Sequence, residues 1–232
     1  MGNGENQGIG AALNRATERA AAIGAAWVVA FDQDSGIQKG YVARLLHAAL
    51  RHPAAERPAL VVPALAGDGL GSGMVRVERA ITSGSLASVG AMVGIGGYRE
   101  DFFIDYVDFE MCLRLRRAGH WILRDGGVTL EHRIGSPRTV QLASLSITTT
   151  NHSPIRRYYK CRNRVAMVRG YFGDAPAWLS REILSTVWEM AKILMLERGK
   201  GAKIGMMVRG VRDGLAGRMG PGPPNPLGAG PP

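Results

Sequence analysis

The feature that most constrains the fold is an alternation of strand-like and helix-like segments in the first third of the sequence. Residues 26–31, AWVVAF, have the apolar character of a buried strand, and residues 59–63, ALVVP, repeat it. Between them, residues 39–51 have the apolar periodicity of a helix. A strand, a helix and a strand in this order favour an α/β fold with a mainly parallel sheet covered by helices.

Further helices and short strands follow. The pattern predicts helices over residues 8–23, 107–119, 153–172 and 175–197, and short strands at WILR (121–124) and VTLEH (128–132). Ser153 suits the N-cap of the helix over residues 153–172, and Pro154 suits its first turn. Residues 220–232 contain six of the chain's 12 prolines and are expected to be disordered.

Composition narrows the class of protein. With 232 residues, 46% of them hydrophobic, the chain can form a folded domain of about 200 residues. Cys112 and Cys161 have no metal-like spacing, which favours free thiols in a reducing compartment, and no apolar run approaches the ~18 residues of a membrane span. We therefore expect a cytoplasmic protein.

The charge is strongly positive and unevenly distributed. The formal net charge is +10, and residues 151–220 hold 14 Lys and Arg against 5 Asp and Glu. A basic segment of this kind can attract nucleic acid, anionic lipid or a substrate that carries phosphate. Charge alone does not choose among these partners, so the motifs must decide.

Two aspartates, Asp32 and Asp34, lie where the first predicted strand ends. Ligands of open α/β sheets bind beyond the carboxyl ends of strands, and residues two apart in extended chain point to the same side. Such a pair offers hard oxygen ligands to Mg2+ or Mn2+, and through the metal to a diphosphate. The structural alternative is a turn, with Asp34 or Ser35 capping the next helix.

A second acidic cluster lies in residues 100–110, EDFFIDYVDFE. If a helix begins near Asp105, these acids are first-turn residues that the helix dipole favours. The functional alternative makes one of them a general base, and Asp108 is well placed for that role just inside the helix. His132, at the end of VTLEH, is either a polar surface residue or a further metal ligand that shifts the preference toward Mn2+.

Six motifs taken together resemble a known family. In order they are ENQGIGAALNRA, WVVAFDQDS, ITSGSL, GIGGYREDFFIDYVDFEMCLRLRRAGH, VTLEHRIG and NHSPIRRYYKCRNR. They resemble the bacterial family 2 glycosyltransferases, especially the rhamnosyltransferases of cell-surface polysaccharide synthesis, over roughly residues 3 to 219. The resemblance implies a GT-A fold, inverting transfer from a nucleotide sugar such as dTDP-rhamnose to a glycan or lipid-linked acceptor, and a divalent metal.

The resemblance also implies roles for individual residues. Asp34 and His132 match metal ligands, and Asp32 lies nearer the donor sugar. Asp108 matches the catalytic base, and Glu110 and Asp105 match acceptor-binding positions. Basic residues after NHSP are implied to lie near donor phosphates or an acceptor lipid phosphate; they are Arg156, Arg157, Arg162 and Arg164. The structural alternative for each arginine is a solvated position or a carboxylate partner.

The start of the chain departs from the family pattern. Family members usually begin with a strand and a polar loop that hold the nucleotide base, and this sequence begins after them. We therefore expect a GT-A sheet that lacks its first βα unit. The expected domains are a truncated catalytic domain over residues 1–150, a basic helical extension over 151–219 and a disordered tail over 220–232.

The C-terminal helices suggest a partner. Trp178, Trp188 and a Leu- and Met-rich face are followed by a basic run that could rest on the inner membrane surface, near a lipid-linked acceptor. The alternatives are core packing and contact between copies of the chain in a homo-oligomer.

Three other functions remain open from the residues alone. One is a metal-dependent phosphohydrolase, which could also use aspartates at strand ends but with water as the acceptor. A basic nucleic-acid-binding protein is disfavoured, because aromatic residues make up only 6% of the chain and the acidic clusters would repel a phosphate backbone. A non-catalytic remnant that binds a membrane or a partner subunit is the third alternative. We expect no nucleic-acid partner.

Overall fold

The computed structural model of the protein describes residues 6–33, 35–65, 71–132, 138–142 and 145–226, with only the backbone described for residues 132, 138–142 and 145–148. The chain divides into two compact units. The sheet unit comprises Ile9–Arg99 and Val107–Arg133. The helical unit comprises Asn6–Gly8, Glu100–Tyr106 and the chain from Ile134 onward, so two short segments from the first half of the chain belong to it.

The described part of the sheet unit alternates strands with helices. In chain order its elements are α1 (Ile9–Ala22), β1 (Trp27–Val29), β2 (Ser35–Gly36), α2 (Tyr41–Leu50), β3 (Leu60–Leu65), β4 (Met74–Val77), β5 (Leu86–Ser88), α3 (Val89–Gly94), α4 (Val107–Arg117) and β6 (Ile122–His132). The mixed α/β class predicted from the sequence is thus confirmed.

The sheet has the order β1-β5-β3-β6-β2, and β4 also pairs with β6. Among the described strands only β3 and β6 pair in parallel, so the prediction of a mainly parallel sheet is wrong for this part of the chain. The reason is the position of β5, a short strand that is antiparallel to both β1 and β3 and lies between them. Consequently β1 and β3 run in the same direction, as expected for strands joined by α2, without being neighbours.

β6 is one long strand with a bulge. Its register with β3 shifts between Pro63 and Ala64, so that Pro63 is opposite Asp125 whereas Ala64 is opposite Thr129. The extra residues include Gly126, where an added Cβ would lie 2.7 Å from the backbone carbon of Ser72. This bulge explains why the sequence predicts two short strands at WILR and VTLEH, where the structure has one.

The core of the sheet unit lies between α2 and the sheet. Leu45 of α2 packs with Val61, Leu86, Leu123 and Leu130, and none of these side chains is more than 4% exposed. Burying five such side chains supplies much of the hydrophobic stabilisation of this unit, at about 1.5–3 kcal/mol each. The predicted buried strand at 59–63 is therefore confirmed.

The helical unit contains a hairpin and three long helices among its described residues. They are β7 (Arg138–Leu142), β8 (Leu145–Thr149), α5 (Pro154–Tyr171), α6 (Pro176–Leu196) and α7 (Lys200–Leu215). The side chain of Ser153 accepts a hydrogen bond from Arg156 N at 3.3 Å, which confirms the predicted N-cap of α5. A short 3-10 turn, Glu100–Phe102, also belongs to this unit.

α5 and α7 pack closely because glycines on α7 face α5. A Cβ added to Gly214 would lie 2.7 Å from the carbonyl oxygen of Arg162, and one added to Gly210 would collide with the carbonyl of Tyr158. Any larger residue at either position would push the two helices apart.

The first residues of the C-terminal tail contact the helical unit. Gly220 N donates to the carbonyl of Asp101 at 2.7 Å, and Gly222 N donates to the Tyr159 hydroxyl at 2.6 Å. The tail therefore differs from the predicted disorder at these residues, since the glycines supply backbone donors to neighbouring acceptors. Residues 227–232 lie outside the described part of the chain.

Candidate functional site

Asp32 lies in an exposed loop directly after β1. Its backbone N–H donates to Ser83 Oγ at 3.0 Å, and its carbonyl accepts from Ser35 N at 3.1 Å. The hydroxyls of Ser35 and Ser83 lie 2.8 Å apart and share a hydrogen bond. Ser83 is buried, so it anchors this loop to the body of the sheet unit.

The turn at Ser83–Ser85 is built to hold that anchor. Gly84 adopts φ +71°, where a side chain would be strained, and an added Cβ would collide with the Tyr41 hydroxyl. Tyr41 donates to the carbonyl of Gly84, and Gly84 N donates to the carbonyl of Ala30, both at 2.8 Å. The ITSGSL motif was recognised in the sequence, yet the anchoring role of Ser83 was missed, because it depends on contacts between distant residues.

The predicted metal ligands are only partly described. Asp34 lies outside the described residues, and the side chain of His132 does as well. The backbone of His132, however, pairs with Ser35, the residue that follows Asp34 in the sequence. Among the side chains that the structure describes, no three His, Cys, Asp or Glu groups are arranged to hold a metal ion. Metal binding therefore stays a prediction.

Asp108 lies in the first turn of α4 and is half-buried. Its Oδ1 accepts a hydrogen bond from Phe109 N at 2.9 Å. Burial raises the pKa of the neighbouring Tyr98 hydroxyl, and the charges of Cys112 and Asp108 add to that rise. The position agrees with both sequence interpretations, a first-turn acid and a general base.

Residues 80–85 connect the loop of Asp32 with α4. Cys112 Sγ, one turn beyond Asp108, donates to the carbonyl of Ala80 at 3.7 Å, and Ser83 in the same segment holds Asp32. A pocket in the sheet unit is lined by Ala80, among others, and by Phe109, the residue after Asp108. Asp32 and α4 thus contact one common segment of the sheet unit.

The two cysteines are unreactive. Both are buried free thiols among the described residues. Burial raises the pKa of Cys112 to about 12, against the smaller opposing effect of its hydrogen bond to Ala80, and raises that of Cys161 to about 11. Neither thiol is a candidate nucleophile at neutral pH.

Glu110 is fully buried and pairs with Arg114. Arg114 Nε donates to both carboxylate oxygens, at 2.8 and 2.9 Å, and Arg114 Nη1 donates to the carbonyl of Ile95 at 2.6 Å. These bonds tie α4 to the residues that follow α3. Glu110 therefore orients Arg114, which holds the helix that carries Asp108 against Ile95, and the predicted contact of Glu110 with an acceptor stays a prediction.

Asp105 belongs to a strained loop of the helical unit. Phe103, Asp105 and Tyr106 have φ values of 65°, 61° and 66°, which are uncommon for residues with side chains. Such conformations cost about 1–3 kcal/mol each and persist only when the surroundings enforce them. Strain of this kind clusters at functional sites, which agrees with the acidic motif's predicted role.

α5 holds the strained loop in place. Asn163 Nδ2 donates to the carbonyls of Phe102, Ile104 and Asp105, at 2.9, 2.8 and 2.9 Å. Arg156 forms an ion pair with the Asp105 carboxylate, with its Nη2 3.2 Å from Oδ1. The loop is thus held through its backbone and through the carboxylate of Asp105.

Arg162 is fully buried and supports the same loop. Its Nη2 donates to the carbonyls of Asp101 and Phe102, at 2.9 and 3.0 Å, and its Nη1 donates to that of Gly220. The guanidinium carbon also lies 5.0 Å from the ring centre of Tyr159. The structure therefore places Arg162 among protein carbonyls, where a guanidinium can replace several backbone partners at once.

Arg157 is also buried, at 2% exposure, and pairs with the nearly buried Glu197 at 3.0 Å. Glu197 in turn binds Lys203 at 2.7 Å. Burial by itself would raise the pKa of Glu197, but its hydrogen bonds to Lys203 and Thr149 and the charge of Arg157 lower it below the usual range. Arg157 thus has the carboxylate partner that the structural alternative anticipated.

Arg164 completes a cluster between α5 and α6. It donates to the Tyr106 hydroxyl at 2.8 Å and pairs with Glu182 at 3.2 Å, and Tyr106 also donates to Glu182. Burial raises the pKa of Tyr106 strongly. Of the four predicted phosphate-binding arginines, Arg156 alone has a side chain as much as 34% exposed, whereas the side chains of the other three are buried.

His152 was not singled out in the sequence. Burial, together with the charges of Arg156 and Arg157, lowers its pKa to about 4 against the opposing effect of Asp105. The imidazole is therefore neutral at physiological pH and lies beside the Asp105–Arg156 pair. Its place in the NHSP motif, one residue before the N-cap of α5, is the only signal in the sequence.

Comparison with known proteins bears on the activity. No protein-family model matches the chain. The chain is 27% identical over 238 aligned positions to the dTDP-rhamnosyl transferase RfbF of Shigella flexneri. The alignment covers 94% of this chain and 79% of that protein. This similarity supports the prediction that the chain is an enzyme of the glycosyltransferase class.

Proposed function

We propose that the protein transfers rhamnose from dTDP-rhamnose to a glycan or lipid-linked acceptor, with inversion at the anomeric carbon. The observation that carries this proposal is the similarity, over 94% of the chain, to a protein named as a dTDP-rhamnosyl transferase. The mixed α/β sheet unit, with Asp32 after β1 and Asp108 at the start of α4, agrees with it.

Asp34 and His132 are the proposed ligands of a divalent metal. A carboxylate and an imidazole form a donor set that suits Mn2+, and the backbone pairing of Ser35 with His132 supports their joint action. When bound, the metal would supply positive charge against the diphosphate of the donor. Asp32 is proposed to contact the donor sugar, from the loop that Ser83 anchors.

Asp108 is the proposed general base. It would take the proton of the acceptor hydroxyl as that oxygen attacks the anomeric carbon. The bond from the acceptor oxygen to carbon forms while the bond from carbon to the diphosphate oxygen breaks, and the bonding electrons leave with dTDP. A single displacement of this kind inverts the anomeric configuration and requires no protein nucleophile, which agrees with the buried, neutral thiols.

Arg156 is the proposed phosphate contact of the helical unit. Its side chain is 34% exposed, and a guanidinium can bind a phosphate with two parallel hydrogen bonds. The same guanidinium forms an ion pair with Asp105. Exchange of this carboxylate for a phosphate would leave Asp105 available to an acceptor hydroxyl.

The test is transfer by the purified chain with Mn2+, dTDP-rhamnose and polyprenyl-diphosphate-linked oligosaccharides. We expect a rhamnosylated product whose anomeric configuration is opposite to that of the donor, and no product with UDP-glucose. Calorimetric titration with dTDP, with and without Mn2+, measures donor binding separately. A product that retains the donor's configuration, or absence of both transfer and dTDP binding, would contradict the proposal.

A further inference from the structure

α6 exposes a face of apolar side chains, whereas an ordinary surface helix buries its apolar face. The side chains that α6 exposes are mostly apolar, and six of them are between 44% and 68% exposed: Ile183, Leu184, Val187, Trp188, Leu194 and Met195. Leu184, Val187, Trp188 and Met195 follow a spacing of three, four and seven residues, so they form a stripe along one face. Core packing, one of the alternatives open from the sequence, therefore does not account for this face.

The opposite face of α6 carries polar side chains. They are Glu182, Ser185, Thr186 and Glu189. Arg164 of α5 binds Glu182, Ser185 and Thr186, and Lys160 of α5 forms an ion pair with Glu189. Burial alone would raise the pKa of Glu189, but the charge and hydrogen bond of Lys160 lower it. The polar face of α6 is thus committed to α5, which leaves the apolar face outward.

Acidic and basic side chains of the helical unit differ in their exposure to solvent. Residues 151–226 contain five acidic side chains, and Glu182, Glu189, Glu197 and Asp213 are all buried or half-buried and paired with Lys or Arg. Basic residues near the ends of α6 are exposed instead: Arg181, Arg198 and Lys200. Asp174 is the one exposed acidic side chain of residues 151–226, so basic side chains outnumber acidic ones at the exposed ends of the apolar stripe.

An apolar stripe with a basic border matches the surface of an anionic bilayer. Apolar side chains of such a helix enter the boundary between headgroups and acyl chains, while cations bind the anionic headgroups. A symmetric dimer through the same face would bring the basic residues of one copy near those of the other, which repulsion disfavours. Within the described chain, no helix is both long and apolar enough to cross a membrane. The proposed contact is between α6 and the membrane surface.

The geometry points to α6 as a membrane-contacting helix that lies flat on anionic lipid through the Leu184–Val187–Trp188–Met195 stripe. This inference does not depend on the proposed sugar transfer. Lipid binding and transfer to a water-soluble acceptor can each fail without the other.

The test is flotation of the purified chain with phosphatidylglycerol vesicles and, in parallel, with neutral phosphatidylcholine vesicles. We expect binding to the anionic vesicles that weakens as salt is raised. The triple variant Leu184→Gln, Val187→Gln, Trp188→Gln should bind at least about 100-fold more weakly, because three apolar side chains no longer enter the lipid. Arg181→Glu with Arg198→Glu should weaken binding to anionic vesicles only.

A matched control is Ile23→Gln, which alters a side chain 66% exposed in the sheet unit and should leave lipid binding unchanged. Circular dichroism and urea unfolding show whether the triple variant stays folded, as expected for changes at exposed positions. Failure of the parent chain to float, or equal binding by the triple variant, overturns the inference. A dimer of the parent chain that the triple variant converts to a monomer, without lipid binding, assigns the face to a second copy instead.

Discussion

Asn163 donates from its side-chain amide to the backbone carbonyl of Asp105 at 2.9 Å, across 58 residues of sequence. The same nitrogen also contacts the carbonyls of Phe102 and Ile104. Asn163 thus joins Arg156 and Arg162 in holding the loop in which Phe103, Asp105 and Tyr106 have positive φ. The conformation of Asp105 depends on α5 as much as on its own sequence.

Replacement of Asn163 should destabilise the fold. Asn163→Ala leaves three carbonyls without this donor, and we expect the free energy of unfolding to fall by about 3 kcal/mol in urea titrations. Asn163→Asp keeps the size but puts oxygens against carbonyl oxygens, so it should be at least as destabilising. Full stability of Asn163→Asp would show that these contacts do not hold the loop.

Loss of a carboxylate from the buried charge network around Glu197 should lower the free energy of unfolding far more than loss of a carboxylate from a surface ion pair. Glu197→Gln removes the carboxylate that the buried Arg157 and Lys203 share and leaves Arg157 only its longer ion pair with Glu189 at 3.5 Å, so the free energy of unfolding should fall by about 3 kcal/mol. Glu78→Gln removes an exposed carboxylate that pairs with Arg79 and Arg116, and should cost less than about 1 kcal/mol. Equal losses in the two variants, measured by urea unfolding, would contradict the assigned burial.

Stability should fall on mild acidification because of His152. Its folded pKa of about 4 lies below the ordinary 6.5, so the unfolded chain binds more protons between these values and stability is lost as the pH falls through that window. Since the side chain is partly exposed, we expect a loss of about 2 kcal/mol. The lowered pKa values of Glu189 and Glu197 act in a separate window, below their ordinary 4.5.

His152→Gln removes this titration and provides the control. Urea unfolding from about pH 7 down to about pH 5 should show a pH-dependent loss in the parent chain and a flatter profile in the variant. Parallel profiles in the two proteins would show that a group other than His152 titrates in this window. The charged groups that act on His152 are Arg156, Arg157, Lys160 and Asp105.

Metal affinity should depend on both proposed ligands. Asp34→Asn and His132→Gln are each expected to weaken Mn2+ binding at least about tenfold, measured by electron paramagnetic resonance of free Mn2+ in the presence of dTDP. His120→Gln changes an imidazole outside the proposed ligand set and should have no effect. If both ligand variants bind Mn2+ as the parent chain does, the metal lies elsewhere.

Local signals predicted five of the helices, but not α3 or α7. The Ser153-Pro154 start of α5 is a property of adjacent residues, and the structure has it. The sheet was harder to predict, because β5 is a three-residue strand whose insertion between β1 and β3 depends on contacts far apart in the sequence. Short strands carry too few residues for periodicity to reveal their partners.

The candidate site shows the same limit. The motifs located Asp32, Asp105 and Asp108 in loops and at a helix start, where the structure also has them. They did not reveal that Arg157 and Arg162 are buried, because an isolated arginine looks the same whether it faces solvent or a buried carboxylate. The anchoring role of Ser83 and the neutral state of His152 likewise arise only from tertiary contacts.

The most direct test of the account is the rate of rhamnose transfer by Asp108→Asn beside that of the parent chain. Asparagine keeps the size and the hydrogen bond to Phe109 N but cannot accept the acceptor's proton, so kcat should fall at least about 100-fold while dTDP binding and the urea midpoint stay unchanged. Transfer by Asp108→Asn at the parent rate would contradict the assignment of Asp108 as the base.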